Sequence, residues 1–148
     1  MKSMKTILST IILTLVFMSG NAQRTISKQN EKAQDVTVYN YVVLTKKVDQ
    51  LTPILMAAEA LLKENKEEFG SFEIIICGKD IGEITNREKM DRFIDKAKSL
   101  NANIIACGFS LKKFDVDPDK IPEDIKIIDN GIQFNMELQK KGYLSLEL

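Results

Sequence analysis

The chain contains no histidine and only two cysteines, Cys77 and Cys107. Without histidine there is no imidazole base, no Ser-His or Cys-His nucleophile pair, and no histidine metal ligand. Two cysteines thirty positions apart, with no second pair, cannot build a structural zinc site. Proline is scarce, at three residues, and falls only where an element starts or a loop turns. Charge of one sign is not in excess: 21 Lys and Arg balance 21 Asp and Glu. That balance argues against nucleic acid and anionic membrane surfaces as partners. No Walker pattern and no Gly-x-Gly-x-x-Gly spacing occurs, so no nucleotide cofactor is implied.

The N-terminus carries one run that is not read as fold. Lys2 and Lys5 precede an apolar stretch from Ile7 to Met18, and Ser19-Gly20-Asn21-Ala22 supplies small residues for cleavage. Residues 1–22 are therefore expected to be a secretory signal peptide, with a stretch too short for comfortable membrane insertion. The expected location is periplasmic or secreted, an oxidising setting in which thiols pair or stay free. Residues 23–36 are polar and aperiodic and read as a flexible arm. Residues 37–148 have the length of one domain with one core.

Within that domain the pattern alternates. Val38 to Leu44 reads as a first strand, rich in β-branched and aromatic residues. Thr52-Pro53 is expected to open a helix with Ile54, Leu55, Ala58, Leu61 and Leu62 facing inward, closed by Gly70. Phe72 to Cys77 is a second, almost wholly apolar strand. Thr85 to Glu88 has the capping-box spacing, and Met90, Phe93, Ile94, Ala97 and Leu100 follow at helical period. Ile104 to Cys107 is the third strand, with a short helix around Ser110 to Phe114. Ile125 to Ile128 is a fourth strand, Asn130-Gly131 begins a last helix ending at Gly142, and Tyr143 to Leu148 alternates as an edge strand. This βαβαβαβαβ order demands a mostly parallel, five-stranded, three-layer α/β fold with helices on both faces. The flavodoxin-like strand order 2-1-3-4-5 is expected.

In such sheets chemistry gathers beyond the carboxyl ends of strands, and Cys107 stands there, followed at once by Gly108. A thiol at the mouth of a helix meets N–H groups that favour its thiolate. The amides of Gly108 and Phe109 are the expected cradle for a bound sulfur or anion, and Lys112 or Lys113 could add positive charge. Cys77 ends strand two. With strand one between strands two and three, the cysteines would stand roughly 10 Å apart, beyond the ~7 Å that a disulfide spans. A structural Cys77 is expected, with a resolving role as its alternative. The loop Gly78-Lys79-Asp80-Ile81-Gly82 reads as a strand-to-helix turn that needs glycine. It faces the same sheet edge as Cys107, which makes Lys79 and Asp80 candidate pocket walls. Ser110 is a further candidate. Phe and Met residues are expected in the core, and an excess of them on one face would mark an oligomer interface.

The stretch Ala106-Cys107-Gly108-Phe109-Ser110-Leu111, followed by Val116 and by Ile127-Ile128-Asp129-Asn130-Gly131-Ile132, resembles the DsrE/DsrF-like sulfur-relay family. The ending Leu138-Gln139-Lys140-Lys141-Gly142-Tyr143 and the Gly78-Lys79-Asp80-Ile81 turn share the likeness, which spans about Tyr39 to Leu148. The resemblance implies a small flavodoxin-related α/β domain assembled as homo- or hetero-oligomers, of trimer or hexamer type. It implies that a cysteine after the third strand, here Cys107, accepts a persulfide from a protein donor and passes it to an acceptor. It also brings the loop at Asn130 and Gly131 towards the cysteine pocket. Lys112 and Lys113 stand where many relatives have an arginine-containing helix, and Ser110 where some carry a second cysteine. Two rival functions share this fold: an oligomer binding a small anion or nucleotide-like ligand without covalent chemistry, and a purely structural oligomer.

Overall fold

Five parallel strands make one sheet, in the order β4-β3-β2-β1-β5. They are β1 (Tyr39–Thr45), β2 (Phe69–Ile76), β3 (Ala102–Cys107), β4 (Lys126–Ile128) and β5 (Leu144–Glu147). The helices are α1 (Leu51–Glu64), α2 (Arg87–Ser99), the short α3 (Gly108–Lys113) and α4 (Gly131–Lys140). This computed structural model describes residues 36–148, of which Val36–Leu148 form one compact unit. The leader expected over 1–22 and the arm over 23–36, Val36 apart, lie outside the described residues. Among the described residues no helix is long and apolar enough to cross a membrane.

The strand order corrects the expected 2-1-3-4-5. From β1 the chain steps to β2, β3 and β4 in one direction, then returns past the whole sheet to add β5 beside β1. Right-handed crossovers therefore put α1 and α2 on one face and α4 on the other. In agreement, α1 and α2 pack on each other, while α4 lies against β1, β2 and β5. The result is still three layers and flavodoxin-like, but β2 and β3 are direct neighbours.

The core follows from strand composition. Ile74, Ile75 and Ile76 of β2, Ile104 and Ile105 of β3, and Val42 of β1 are buried between the helical layers. A strand apolar on both faces can be satisfied only by cover on both. Met90, Phe93, Ile94 and Ala97 of α2, and Leu100 just beyond it, are buried as their spacing demands.

Three local expectations change. α1 begins at Leu51 after a 3-10 turn (Val48–Gln50), so Thr52 and Pro53 lie inside the first turn rather than starting it. The free N–H groups of that turn still make proline tolerable there. Asn86, not Thr85, caps α2, accepting from the Lys89 N–H at 3.1 Å, while the Thr85 hydroxyl donates to the Gly82 carbonyl. Gly70 belongs to β2 and closes no helix. As expected, Asn130 caps α4 by accepting from the Ile132 and Gln133 amides, and Gly142 takes a left-handed φ of 88° after it.

This layering makes a graded prediction. Ile105→Ala, in a fully covered strand, should cost roughly 2–5 kcal/mol in urea unfolding. Ile127→Ala, on the exposed edge strand β4, should cost about 1 kcal/mol or less. Equal costs would contradict the strand order.

Candidate functional site

The return crossover decides what meets at the carboxyl end of the sheet. β3 continues into α3 on one face while β4 continues into α4 on the other. A crevice opens where successive connections part in this way. Cys107 closes β3 on its floor, and Cys77 directly follows β2 beside it. The parallel register pairs Ile76 with Ala106, so Cys77 and Cys107 are the next residues in line. Alternation along each strand points Ile75, Cys77 and Cys107 to the face that α4 covers. The expected 10 Å separation of the two thiols is thus corrected: no strand lies between them. Both are buried and both are free thiols.

Gly131, the first residue of α4, closes over the pair. A Cβ there would fall 2.5 Å from the Cys77 Sγ and 3.2 Å from the Cys107 Cβ. With only hydrogen at that position, the helix comes close enough for the Gly131 N–H to donate to the Cys107 Sγ at 3.2 Å. Gly108 has a separate reason to be glycine: a Cβ would lie 2.9 Å from the Ile128 carbonyl oxygen. Gly78 takes φ 85° at the end of β2, the left-handed turn that its sequence context implied.

The two thiols are driven in opposite directions. Burial pushes the Cys107 thiol up, but hydrogen bonds from the Ser110 hydroxyl, the Gly131 and Ser110 amides and the Cys77 thiol outweigh it. The Cys107 pKa lies below the ordinary cysteine value. Ser110 is itself held in place, since its Oγ accepts from the Gly78 N–H at 3.0 Å. Cys77 is pushed up to about 12, first by burial and then by the negative charge and hydrogen bonding of Cys107. The pair is therefore unequal, with Cys107 the more acidic sulfur and Cys77 the one held protonated.

Above the cysteines lies a cavity of about 630 Å³. Cys77, Gly78, Cys107, Ser110 and Asn130 line it, as does Phe109 through its side chain. The Phe109 amide does not serve as the expected cradle, because it donates to the Asp129 carbonyl at 2.8 Å. The Gly131 amide takes that role at Cys107 instead. Lys79 and Asp80 are outside the cavity lining, carried away by the 3-10 stretch Lys79–Thr85. Of the two expected lysines, Lys113 lines the cavity and Lys112 does not.

Several walls were not anticipated. Lys46 and Glu147 pair at 2.7 Å on the rim, joining the end of β1 to β5. Asn135 and Gln139 stand one and two turns beyond Gly131 on α4, and that i, i+4, i+8 spacing was the available signal. The buried Asn135 Oδ1 accepts from the Ser145 hydroxyl at 2.9 Å and from Gln139 Nε2 at 3.0 Å. Ile132, Met136, Phe109 and Phe114 make an exposed apolar mouth. Among the described residues no three Cys, Asp or Glu side chains cluster in a way that could hold a metal ion.

No known family model matches the chain, and no curated protein does. Solved structures share the fold, two of them as follows. One is a protein of unknown function, MTH1491, from Methanobacterium thermoautotrophicum, 13% identical, covering 74% of this chain and 99% of its own at a TM-score of 0.59. The other is a conserved protein of unknown function, BT1422, from Bacteroides thetaiotaomicron, 22% identical, covering 74% of this chain and 94% of its own at 0.55. At these identities the likeness is one of fold. The class so defined is a five-stranded parallel α/β domain with a thiol site at its carboxyl edge.

The hydrogen bonds at Cys107 set its titration. Only the thiolate attacks an alkylating agent, so the iodoacetamide rate should reach half its maximum below pH 9.0, the ordinary value from which the Cys107 pKa is lowered. Ser110→Ala removes the leading thiolate-favouring bond and should move that midpoint to higher pH. Gly131→Ala should destabilise the fold by roughly 1–3 kcal/mol through overpacking and slow the same alkylation. An unmoved midpoint in Ser110→Ala would sink this assignment.

Proposed function

We propose that this protein is a thiol-based sulfur carrier in which Cys107 accepts and transfers sulfane sulfur. The observation that carries the reading is the Gly131 N–H donating to the Cys107 Sγ at the base of a cavity large enough for a small donor. The reaction begins with a thiolate, which the lowered Cys107 pKa favours. The thiolate attacks a terminal sulfur of an inorganic polysulfide. A new S–S bond forms at Cys107, and the polysulfide leaves one sulfur shorter with its electron pair. The resulting persulfide anion extends into the cavity, where Lys113 and the Lys46 ammonium on the rim offer opposite charge.

The resemblance to the DsrE/DsrF-like family supports the same reading, with Cys107 at the matching position. It also favours a homo-oligomer receiving sulfur from a protein partner. Four exposed apolar side chains round the cavity mouth fit such a partner or a second subunit. With the leader read at residues 1–22, the chemistry belongs to a periplasmic or secreted protein.

Intact mass before and after exposure to polysulfide tests the proposal. A Cys77→Ser chain, which keeps Cys107 as its one thiol, should gain whole sulfur atoms that a thiol reductant removes, and peptide mapping should place them on Cys107. Cys107→Ser should gain none. Unchanged mass in Cys77→Ser, with Cys107 alkylated only after unfolding, would leave the cysteine a core residue and refute the carrier.

A further inference from the structure

We propose that Cys77 is the resolving thiol of a two-cysteine redox centre, attacking the Cys107 sulfur and expelling whatever group Cys107 carries as an intramolecular disulfide closes. The inference rests on the carrier reading for its physiological leaving group, but its geometry stands alone. Cys77 and Cys107 are in register on adjacent parallel strands. Such strands run roughly 4.8 Å apart, inside the Cα separation of about 4.4–6.8 Å that disulfides adopt. Both side chains lie against Gly131, where a Cβ would fall 2.5 Å from the Cys77 Sγ and 3.2 Å from the Cys107 Cβ. Gly131 presents no Cβ to the pair, and the cavity reaches both sulfurs, which gives a leaving group somewhere to go.

The step balances without another reagent. Cys77 sulfur forms a bond to Cys107 Sγ while the bond from Sγ to the outer sulfur breaks. That outer sulfur departs with the electron pair as hydrosulfide and takes up the Cys77 proton. The two cysteines are oxidised by one electron each, and the sulfane sulfur is reduced to sulfide. A thiol reductant restores the dithiol. The electrostatics also order the events. While Cys107 is an anion its charge adds to burial in holding the Cys77 proton; once Sγ is capped that charge moves off Sγ, and burial keeps the proton on Cys77 until it passes to the departing sulfur.

The test uses the full chain, reduced and freed of small thiols, with dithiobis(nitrobenzoate), an aryl disulfide that releases a coloured thiolate. With only two cysteines in the chain, the stoichiometry is unambiguous. Wild type should release two thiolates per chain, the second at a rate independent of reagent concentration, and should retain no aryl group. Cys77→Ser should release one and keep the aryl group on Cys107. Cys77→Ala repeats the test with a smaller apolar side chain, and the wild-type kinetic order needs no variant at all. A wild type that keeps its aryl adduct, or whose second release scales with reagent, overturns the resolving role. A parallel sample loaded with polysulfide separates the two ideas: sulfide released by wild type and withheld by Cys77→Ser supports both. Disulfide closure with the aryl reagent but no sulfur uptake refutes the carrier alone. Sulfur held on Cys107 by wild type and Cys77→Ser alike refutes the resolving thiol alone.

Discussion

The chain must travel from β4 at one edge of the sheet to β5 at the other, and this return crossover governs the rest of the structure. A connection that long cannot stay on the face occupied by α1 and α2 without a left-handed turn, so it changes face. The change happens at the carboxyl end of β4, beside β3. α4 therefore begins against β3 and β2, with its first amide directed at the sulfur that ends β3. Glycine at 131 is the consequence rather than the cause. Any side chain there would collide with Cys77 before the amide came within reach of Cys107.

The pair of sulfurs that results is chemically unequal although both are buried. Desolvation acts on both and raises both. What separates them is the count of donors. Cys107 receives the Ser110 hydroxyl, two amides and the Cys77 thiol, whereas Cys77 sees chiefly apolar surroundings and the charge of its neighbour. Each state reinforces the other: a thiolate at Cys107 keeps Cys77 protonated, and a protonated Cys77 has a hydrogen to donate. The Gly78 amide, by fixing the Ser110 hydroxyl, extends the arrangement into the loop after β2. That loop's left-handed glycine thus bears on the site through a backbone turn, and not through the Lys79 and Asp80 side chains.

Element types and the position of Cys107 were legible in the sequence because both are local. Apolar runs of strand length, helical periodicity in α2, Asn130-Gly131 and Gly142 each act over a few residues. Strand order is not local. Nothing in β1 or β2 records which neighbour each will take, and the common flavodoxin order is a prior rather than a derivation. The error then spread to whatever depended on adjacency. The two cysteines were placed apart, and Lys46, Glu147 and Asn135, brought in by β1, β5 and α4, were not placed at all. The Phe109 amide failed as a cradle for a related reason. Its partner, the Asp129 carbonyl, comes from the far end of β4, twenty residues along the chain.

Burial and access also pull in opposite directions at this site, and the cavity mouth reconciles them. A thiolate stabilised by amides is strongest where water is excluded, and Cys107 is only 3% exposed. A group so enclosed exchanges atoms with the outside only through the opening ringed by Phe109, Phe114, Ile132 and Met136. Exposed aromatics and methionine do not attract a hydrated anion. They do suit contact with another apolar surface, which would exclude water further. The Lys46–Glu147 pair on the same rim is exposed and binds weakly, so it can exchange Glu147 for an incoming anion at small cost. An apolar collar at the mouth and an exchangeable cation on the rim together make the route to the buried thiol selective by both surface contact and charge.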